Sequence, residues 1–333
     1  MAQNKLVQVL LPGGAVPAEF AARQAVDLSN WKEFETVKRS PAWYDQQYNA
    51  RAAIPDGLAI LQGWAERSAH TRQSRPCVLD VPYSVQGASD LSERLDIFRP
   101  SEPRATSQRS ESTAPVLIHI HGGYWRALDK KDQSFVAEPF CDAGALVLVP
   151  NYALCPQVSM AHIVMQMVRA VEWAHRHAAE YGGDAHRIVV TGHSAGGHLA
   201  ALMMACDWPR LAADLPADVV KTAVPVSGLF ELEPLRHAPF LAPDLRLDAA
   251  EALRLSPAAM RLGAPRKGSV QAFVGGLESA EFHRQGQALR KAWGAQVVSC
   301  CEAVPGCHHL SVLDALVNPS TALHQAVLRA LGL

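Results

Sequence analysis

Arg187-Ile-Val-Val-Thr-Gly-His-Ser-Ala-Gly-Gly-His-Leu199 is the stretch that decides how the chain is read. A β-branched run over 188–191 leads into Gly192-His193-Ser194-Ala195-Gly196, and an Ala/Leu/Met-rich segment follows to residue 206. The order is strand, sharp turn, helix, and G-x-S-x-G in that setting is a nucleophile elbow, with the serine on a strained turn at the carboxyl end of a strand. Gly192 and Gly196 stand two residues either side of Ser194, where a Cβ would collide as the chain reverses. The following helix aims its free N–H groups at the serine and favours negative charge there. A chance G-x-S-x-G on a surface turn would lack these flanks.

Outward from the elbow the alternation is regular. Residues 116–120 predict a strand, 133–142 a helix stopped at Gly144, 145–149 a strand ended by Pro150, and 158–180 a long helix stopped by Gly182-Gly183. Beyond the elbow, 219–226, 270–274 and 296–304 predict strands, and 280–293 and 310–331 helices. Continuous apolar strands separated by helices imply a mostly parallel sheet covered on both faces, an α/β class. Pro225 cannot donate to a ladder, so a bulge is expected in its strand. Residues 229–265 break the alternation downstream of a strand's carboxyl end, where active-site covers belong. Upstream, 78–81 and 95–98 are short strand candidates, and 99–114 reads as a solvated loop. Residues 1–75, with Trp31, Phe34, Trp43, Tyr44, Tyr48 and Trp64, read as a helical leader packed over a catalytic core of 76–333. The expectation is one domain over 1–333.

Composition narrows the function. With 333 residues, 49% of them hydrophobic, the chain can bury a large core. A formal net charge of −1 argues against nucleic acid or an anionic membrane as partner. The longest apolar runs are far too short to span a bilayer, and the patch over 6–11, broken by Gln8, makes a poor signal peptide. Seven scattered cysteines without a C-x-x-C fit reduced thiols and a cytoplasmic protein. A homodimer is left open.

Serine is a poor nucleophile until a base takes its proton and a third group holds that base. In open α/β sheets these follow in chain order Ser, acid, His, from loops after successive strands. Glu278 is the first carboxylate past residues 270–274, and Glu281 is the alternative, with a bland place near a helix start that Ser279 can cap. After the last strand come His308 and His309, whose side chains diverge, so only one should face Ser194; His309 is preferred. An oxyanion needs preorganised donors. Ala195 N–H offers one, and the loop His121-Gly-Gly-Tyr-Trp125 offers others at Gly122 and Gly123, where the chain can approach a ligand closely. His121 is expected to order this loop. His119 and His121 fall on one face of a strand, but no nearby carboxylate or cysteine completes a metal site, so no metal is expected.

These strings, with Gly192-His-Ser-Ala-Gly-Gly-His-Leu-Ala200, Ser227-Gly-Leu-Phe-Glu-Leu-Glu-Pro234, Glu278-Ser-Ala-Glu-Phe-His-Arg-Gln285 and Trp43-Tyr-Asp-Gln-Gln-Tyr-Asn49, give the chain a resemblance. It resembles the arylformamidase (kynurenine formamidase) branch of the α/β-hydrolases, near the hormone-sensitive-lipase-like esterases, over roughly 115–317. The resemblance implies Ser194 as nucleophile, and hydrolysis of a small aryl formamide or ester without metal or organic cofactor. The family's acid is typically aspartate, and the matching position is Glu278, one methylene longer. The family's histidine precedes Phe, and the matching pair is His309-Leu310. Tyr124, Trp125, Tyr152 and Phe230 are candidates for packing an aromatic substrate ring.

Overall fold

Side chains alternate across the strands and divide the core in two. Val116, Ile118 and Ile120 join one buried cluster with Leu146, Leu148, Ile188 and Val190. Leu117 joins the other with Val147, Val149 and Val189. Period-two alternation of this kind places a sheet between two apolar layers. The computed structural model describes residues 39–85, 87, 89–101, 113–262 and 268–333. The expected helical structure over 1–38 and most of the expected loop over 99–114 lie outside them.

The strands are β1 (Cys77–Pro82), β2 (Arg94–Phe98), β3 (Ala114–Ile120), β4 (Leu146–Pro150), β5 (Gly183–His193), β6 (Val220–Val226), β7 (Ser269–Gly275) and β8 (Val298–Val304). They form one sheet in the order β1-β2-β4-β3-β5-β6-β7-β8. β2 runs antiparallel to β1 and β4, and the pairs from β4 through β8 are parallel. This is the α/β-hydrolase fold.

The helices used below are α1 (Pro41–Tyr48), α2 (Gly57–Ser74), α3 (Ala137–Asp142), α4 (Met160–His177), α5 (Ala195–Ala205), α6 (Ala280–Trp293), α7 (Val312–Val317) and α8 (Ala322–Leu331). In α4, Ile163, Val164, Met167, Val168 and Val171 repeat at helical spacing and are buried. Its start is capped by the Ser159 side chain, which accepts from His162 N–H at 3.2 Å. α4 and α5 pack on the first cluster; Trp64 of α2, Phe140 of α3 and the apolar faces of α7 and α8 pack on the second. Every residue of α5 is buried, as expected of a helix that carries the elbow through the centre of the molecule.

Two expectations are corrected. The single helix expected over 310–331 is two, because Pro319 cannot continue a helix and pushes Asn318 out of helical geometry; Thr321 then caps α8 through His324 N–H at 3.2 Å. Pro225 makes no bulge. The β6–β7 register is unchanged across it, from Thr222↔Ser269 to Val226↔Phe273. The irregularity in β6 lies against β5 instead, at Lys221, between the pairs Ile188↔Val220 and Val189↔Thr222.

Beyond β6 come short helical turns at Glu233–His237, Ala242–Leu245, Ala249–Arg254 and Pro257–Ala259; the first packs against α1, the last against α5 and α6, and the segment also meets the loop after β3. Arg126 ties them to that loop, donating to the Phe240 carbonyl at 2.6 Å and to the Asp244 carboxylate.

The crossing of β3, β5 and α5 leaves no room for a side chain at Gly196: a Cβ there would lie 2.0 Å from the Ile120 carbonyl oxygen. Because the obstacle is backbone, Gly196→Ala is expected to destabilise the protein by about 3 kcal/mol or more. A urea midpoint within error of the parent would refute this.

Candidate active site

The elbow holds Ser194 at φ 55° and ψ −115°, a conformation an L-residue enters at a cost. Two contacts impose it. The Ser194 N–H donates to the Val226 carbonyl at 2.8 Å. A Cβ at Gly192 would sit 2.3 Å from the Gly196 carbonyl oxygen, so the turn closes only over glycine. The hydroxyl lies at the N-terminus of α5 in a residue only 2% exposed.

Two loops bring partners to it. His309 Nε2 lies 3.0 Å from Ser194 Oγ, and His309 Nδ1 lies 2.6 Å from Glu278 Oε2. A carboxylate only accepts, so Nδ1 carries the proton and the Nε2 lone pair faces the serine hydroxyl. The second Glu278 oxygen accepts from Gly275 N–H at 2.7 Å and from the Ser227 hydroxyl. Burial pushes the Glu278 carboxyl up, but the His309 imidazole and the bonds from His309, Ser227 and Gly275 outweigh it and hold the group below the usual glutamate range. An alcohol with a proton acceptor, an acceptor with a fixed tautomer and a carboxylate kept ionised can together attack a carbonyl carbon.

The alternatives lie elsewhere. Glu281 accepts from the Tyr48 hydroxyl at 2.5 Å and pairs with Arg284 at 2.9 Å, while Arg284 also reaches Glu231. Glu281 thus belongs to a network joining α1, α6 and the segment after β6. His308 is occupied in its own turn, with Nδ1 accepting from Leu310 N–H at 3.2 Å and Ser311 N–H at 3.1 Å.

Gly122 lies beside the serine, and Gly123 follows it in the loop after β3. A Cβ on Gly122 would be 3.4 Å from Ser194 Cβ and 2.9 Å from the His193 carbonyl oxygen. Gly123 has φ 106°, where a side chain would be strained. Ala195 is fully buried beside them. His121 steadies the loop as expected, with Nδ1 2.8 Å from the Gly122 carbonyl and Nε2 3.1 Å from Asn151 Oδ1. His119 faces Gln133 Oε1 at 3.0 Å, so both imidazoles have amide oxygens as partners.

The four aromatic candidates divide. Tyr152 is 1% exposed and stacks on His121, ring centroids 4.0 Å apart; its hydroxyl donates to the His121 and Gly122 carbonyls at 3.0 and 3.1 Å. Trp125 is fully buried, edge-on to His198 at 5.0 Å. Both prop the loop from behind. Phe230 is also buried, its N–H donating to Gln285 Oε1 at 2.6 Å. Tyr124 is only half-buried; it lies edge-on to Phe240 at 5.6 Å, and its hydroxyl donates to the Tyr48 carbonyl.

Three side chains had no assigned place in the sequence-based site. Phe282 packs on the His309 ring at 4.6 Å. His193 Nε2–H donates to the His309 carbonyl at 2.7 Å, its ring 4.8 Å from the His309 ring. Ser227 holds Glu278. Each lies inside a quoted string; their positions beside the serine, just after the acid and at the end of β6 were the available signals.

Burial lowers His119 and His198 from 6.5 to about 4, and lowers His193 further, with the nearby His309 adding to the effect. A histidine depressed in the folded state is protonated first when unfolded. Its stabilisation is complete above about pH 6.5 and is lost as pH falls toward the folded value. For His119 and His198 the shift corresponds to about 3 kcal/mol each. Acid destabilisation should therefore begin near pH 6, and His198→Gln, which keeps a donor for the Leu255 carbonyl, should flatten the fall. Equal slopes of urea midpoint against pH for parent and variant would contradict it.

Among known proteins, the BD-FAE family model matches residues 95–215. The kynurenine formamidase of Danio rerio is 29% identical over 315 residues, covering 92% of this chain and 99% of that protein. Esterase LipQ of Mycobacterium tuberculosis is 31% identical over 198 residues, 58% of this chain and 44% of that protein. A crystal structure named as a thioesterase, from Silicibacter sp. TM1040, superposes with a TM-score of 0.69 at 29% identity, covering 83% of this chain and 95% of that one. Fold, elbow and relatives together make this chain a hydrolase of the α/β-hydrolase fold, similar over nearly its whole length to kynurenine formamidases and over part of it to hormone-sensitive lipase.

Proposed function

We propose that this protein cleaves the formyl group from an aryl formamide, N-formyl-L-kynurenine, releasing formate and L-kynurenine. The observation that carries the proposal is the hydrogen-bonded line from Ser194 Oγ through His309 to Glu278, at 3.0 and 2.6 Å, in a chain alignable over 92% of its length with a kynurenine formamidase. Ser194 attacks the formyl carbon while His309 Nε2 takes its proton. Glu278 keeps the imidazole in the required tautomer and stabilises the imidazolium that forms. The oxyanion is held by the N–H groups of Gly122, Gly123 and Ala195. The imidazolium then protonates the departing aniline nitrogen, which would otherwise leave as a very poor anilide anion. Water, deprotonated by the same imidazole, clears the formyl-enzyme. Tyr124, beside Phe240, is the candidate wall for the aromatic ring. Seven cysteines, none of them in a disulfide, support a cytoplasmic setting.

A second reading is a carboxylesterase for small acyl or aryl esters, supported by the esterase relatives and served by the same groups. Side-by-side turnover of N-formylkynurenine and p-nitrophenyl acetate decides between them: negligible formamide hydrolysis removes the first. Ser194→Ala is expected to lower kcat by roughly 10³-fold or more on either substrate. Glu278→Gln, whose amide can donate to Nδ1 and force the wrong tautomer, should cost on the order of 10³–10⁴-fold. His308→Ala should stay within about tenfold of the parent, because its bonds serve one turn. Comparable losses for His308→Ala and His309→Ala would break the assignment.

A further inference from the structure

Ser227 is the first residue past β6, and its backbone is left-handed, with φ 52°. An L-residue pays an energetic cost there that glycine avoids, and glycine occupies the very next position, Gly228. The conformation is imposed by the chain: Ser227 N–H donates to the Phe273 carbonyl at 2.7 Å, fastening the end of β6 to β7. A strained position that keeps a side chain implies a use for that side chain. The residue is 1% exposed, and its hydroxyl donates to Glu278 Oε1. That oxygen is the one His309 does not use, which leaves Oε2 free to receive the imidazole N–H at 2.6 Å.

We infer that Ser227 is a positioning residue for the hydrolytic reaction, its hydroxyl locking the rotation of the Glu278 carboxylate so that one oxygen always faces His309. The inference rests on the proposed roles of Ser194, His309 and Glu278. A glutamate has one more rotatable bond than an aspartate, so its carboxylate needs an additional restraint to present one oxygen along a fixed line. Gly275 N–H supplies one restraint on Oε1, from the acid's own loop. Ser227 supplies the second from a different strand, so the carboxylate is held across β6 and β7.

The hydroxyl dipole also partly neutralises the carboxylate. Without it, the Glu278 carboxylate draws the imidazole N–H more strongly, which displaces the acid limb of the rate profile to higher pH. The other ionisable groups facing the pair are His193 at the end of β5, Tyr124 on the glycine loop and Cys307 before His308. Burial holds each of them uncharged around neutral pH, so the acid limb of the rate profile reports the His309–Glu278 pair.

The test is kcat, KM and the pH dependence of kcat/KM for the full chain with p-nitrophenyl acetate, for the parent, Ser194→Ala, Ser227→Ala and Ser227→Gly. Glycine removes the hydroxyl and also relieves the left-handed strain, so Ser227→Gly remains folded even if Ser227→Ala does not. The expected result is a kcat about tenfold lower for both Ser227 variants, a KM within about twofold of the parent, and an acid limb displaced to higher pH. A Ser227→Gly enzyme with parental kcat and an unmoved acid limb overturns the inference, provided Ser194→Ala is inactive. Loss of rate without displacement of the limb also overturns it, because that is the signature of a purely structural role. If Ser194→Ala retains full activity, the proposed mechanism fails first and the role of Ser227 falls with it.

Discussion

The approach of three backbones at the elbow is the constraint on which the molecule depends. β3, β5 and the start of α5 meet so closely that Gly192 and Gly196 touch carbonyl oxygens where any other residue would carry a methyl group. That contact turns the chain through Ser194 in an otherwise unfavourable conformation, and the bond to the Val226 carbonyl keeps it there. The strain is affordable because the surroundings are among the most buried in the protein: α5 is enclosed on all sides, and the strands beneath it are apolar on both faces. A rigid centre lets two short loops, after β7 and β8, deliver a carboxylate and an imidazole that line up on one hydroxyl.

Much of this was legible in the sequence because it rests on local rules. The elbow needs glycines at fixed offsets, and parallel strands buried on both faces read as continuous apolar runs. The order serine, acid, histidine follows from the order of the strands. The break at Asn318-Pro319 was also written in the sequence, but the apolar periodicity on either side hid it. What stayed illegible depends on distant pairings. Glu278 and Glu281 stand three residues apart, either side of the start of α6, and differ by what crosses over from elsewhere: Tyr48, more than two hundred residues away, takes Glu281, and His309 takes Glu278. Tyr152 and Trp125 lie in strings rich in aromatic and glycine residues, and only the packing shows that they support the loop from behind.

Buried polar groups here are mostly neutral or tightly paired. His119, His193 and His198 are kept uncharged by burial, while Lys130 reaches two carboxylates, Asp96 at 2.6 Å and Asp80 at 2.8 Å. The imidazole of His309 differs from the three other histidines in having a carboxylate on one side and a hydroxyl on the other. Among imidazoles in similar surroundings, the neighbour on the second nitrogen sets the chemistry.

The strand order has a consequence for partly made or clipped chains. β5 and the serine come before β7 and β8, and the last of the three groups stands at residue 309 of 333. On the proposed roles, a fragment ending anywhere before that point carries an unactivated alcohol, no more reactive than free serine. Hydrolytic power thus arrives only once β8 and the loop after it are present, and chains cut short of that loop are chemically silent.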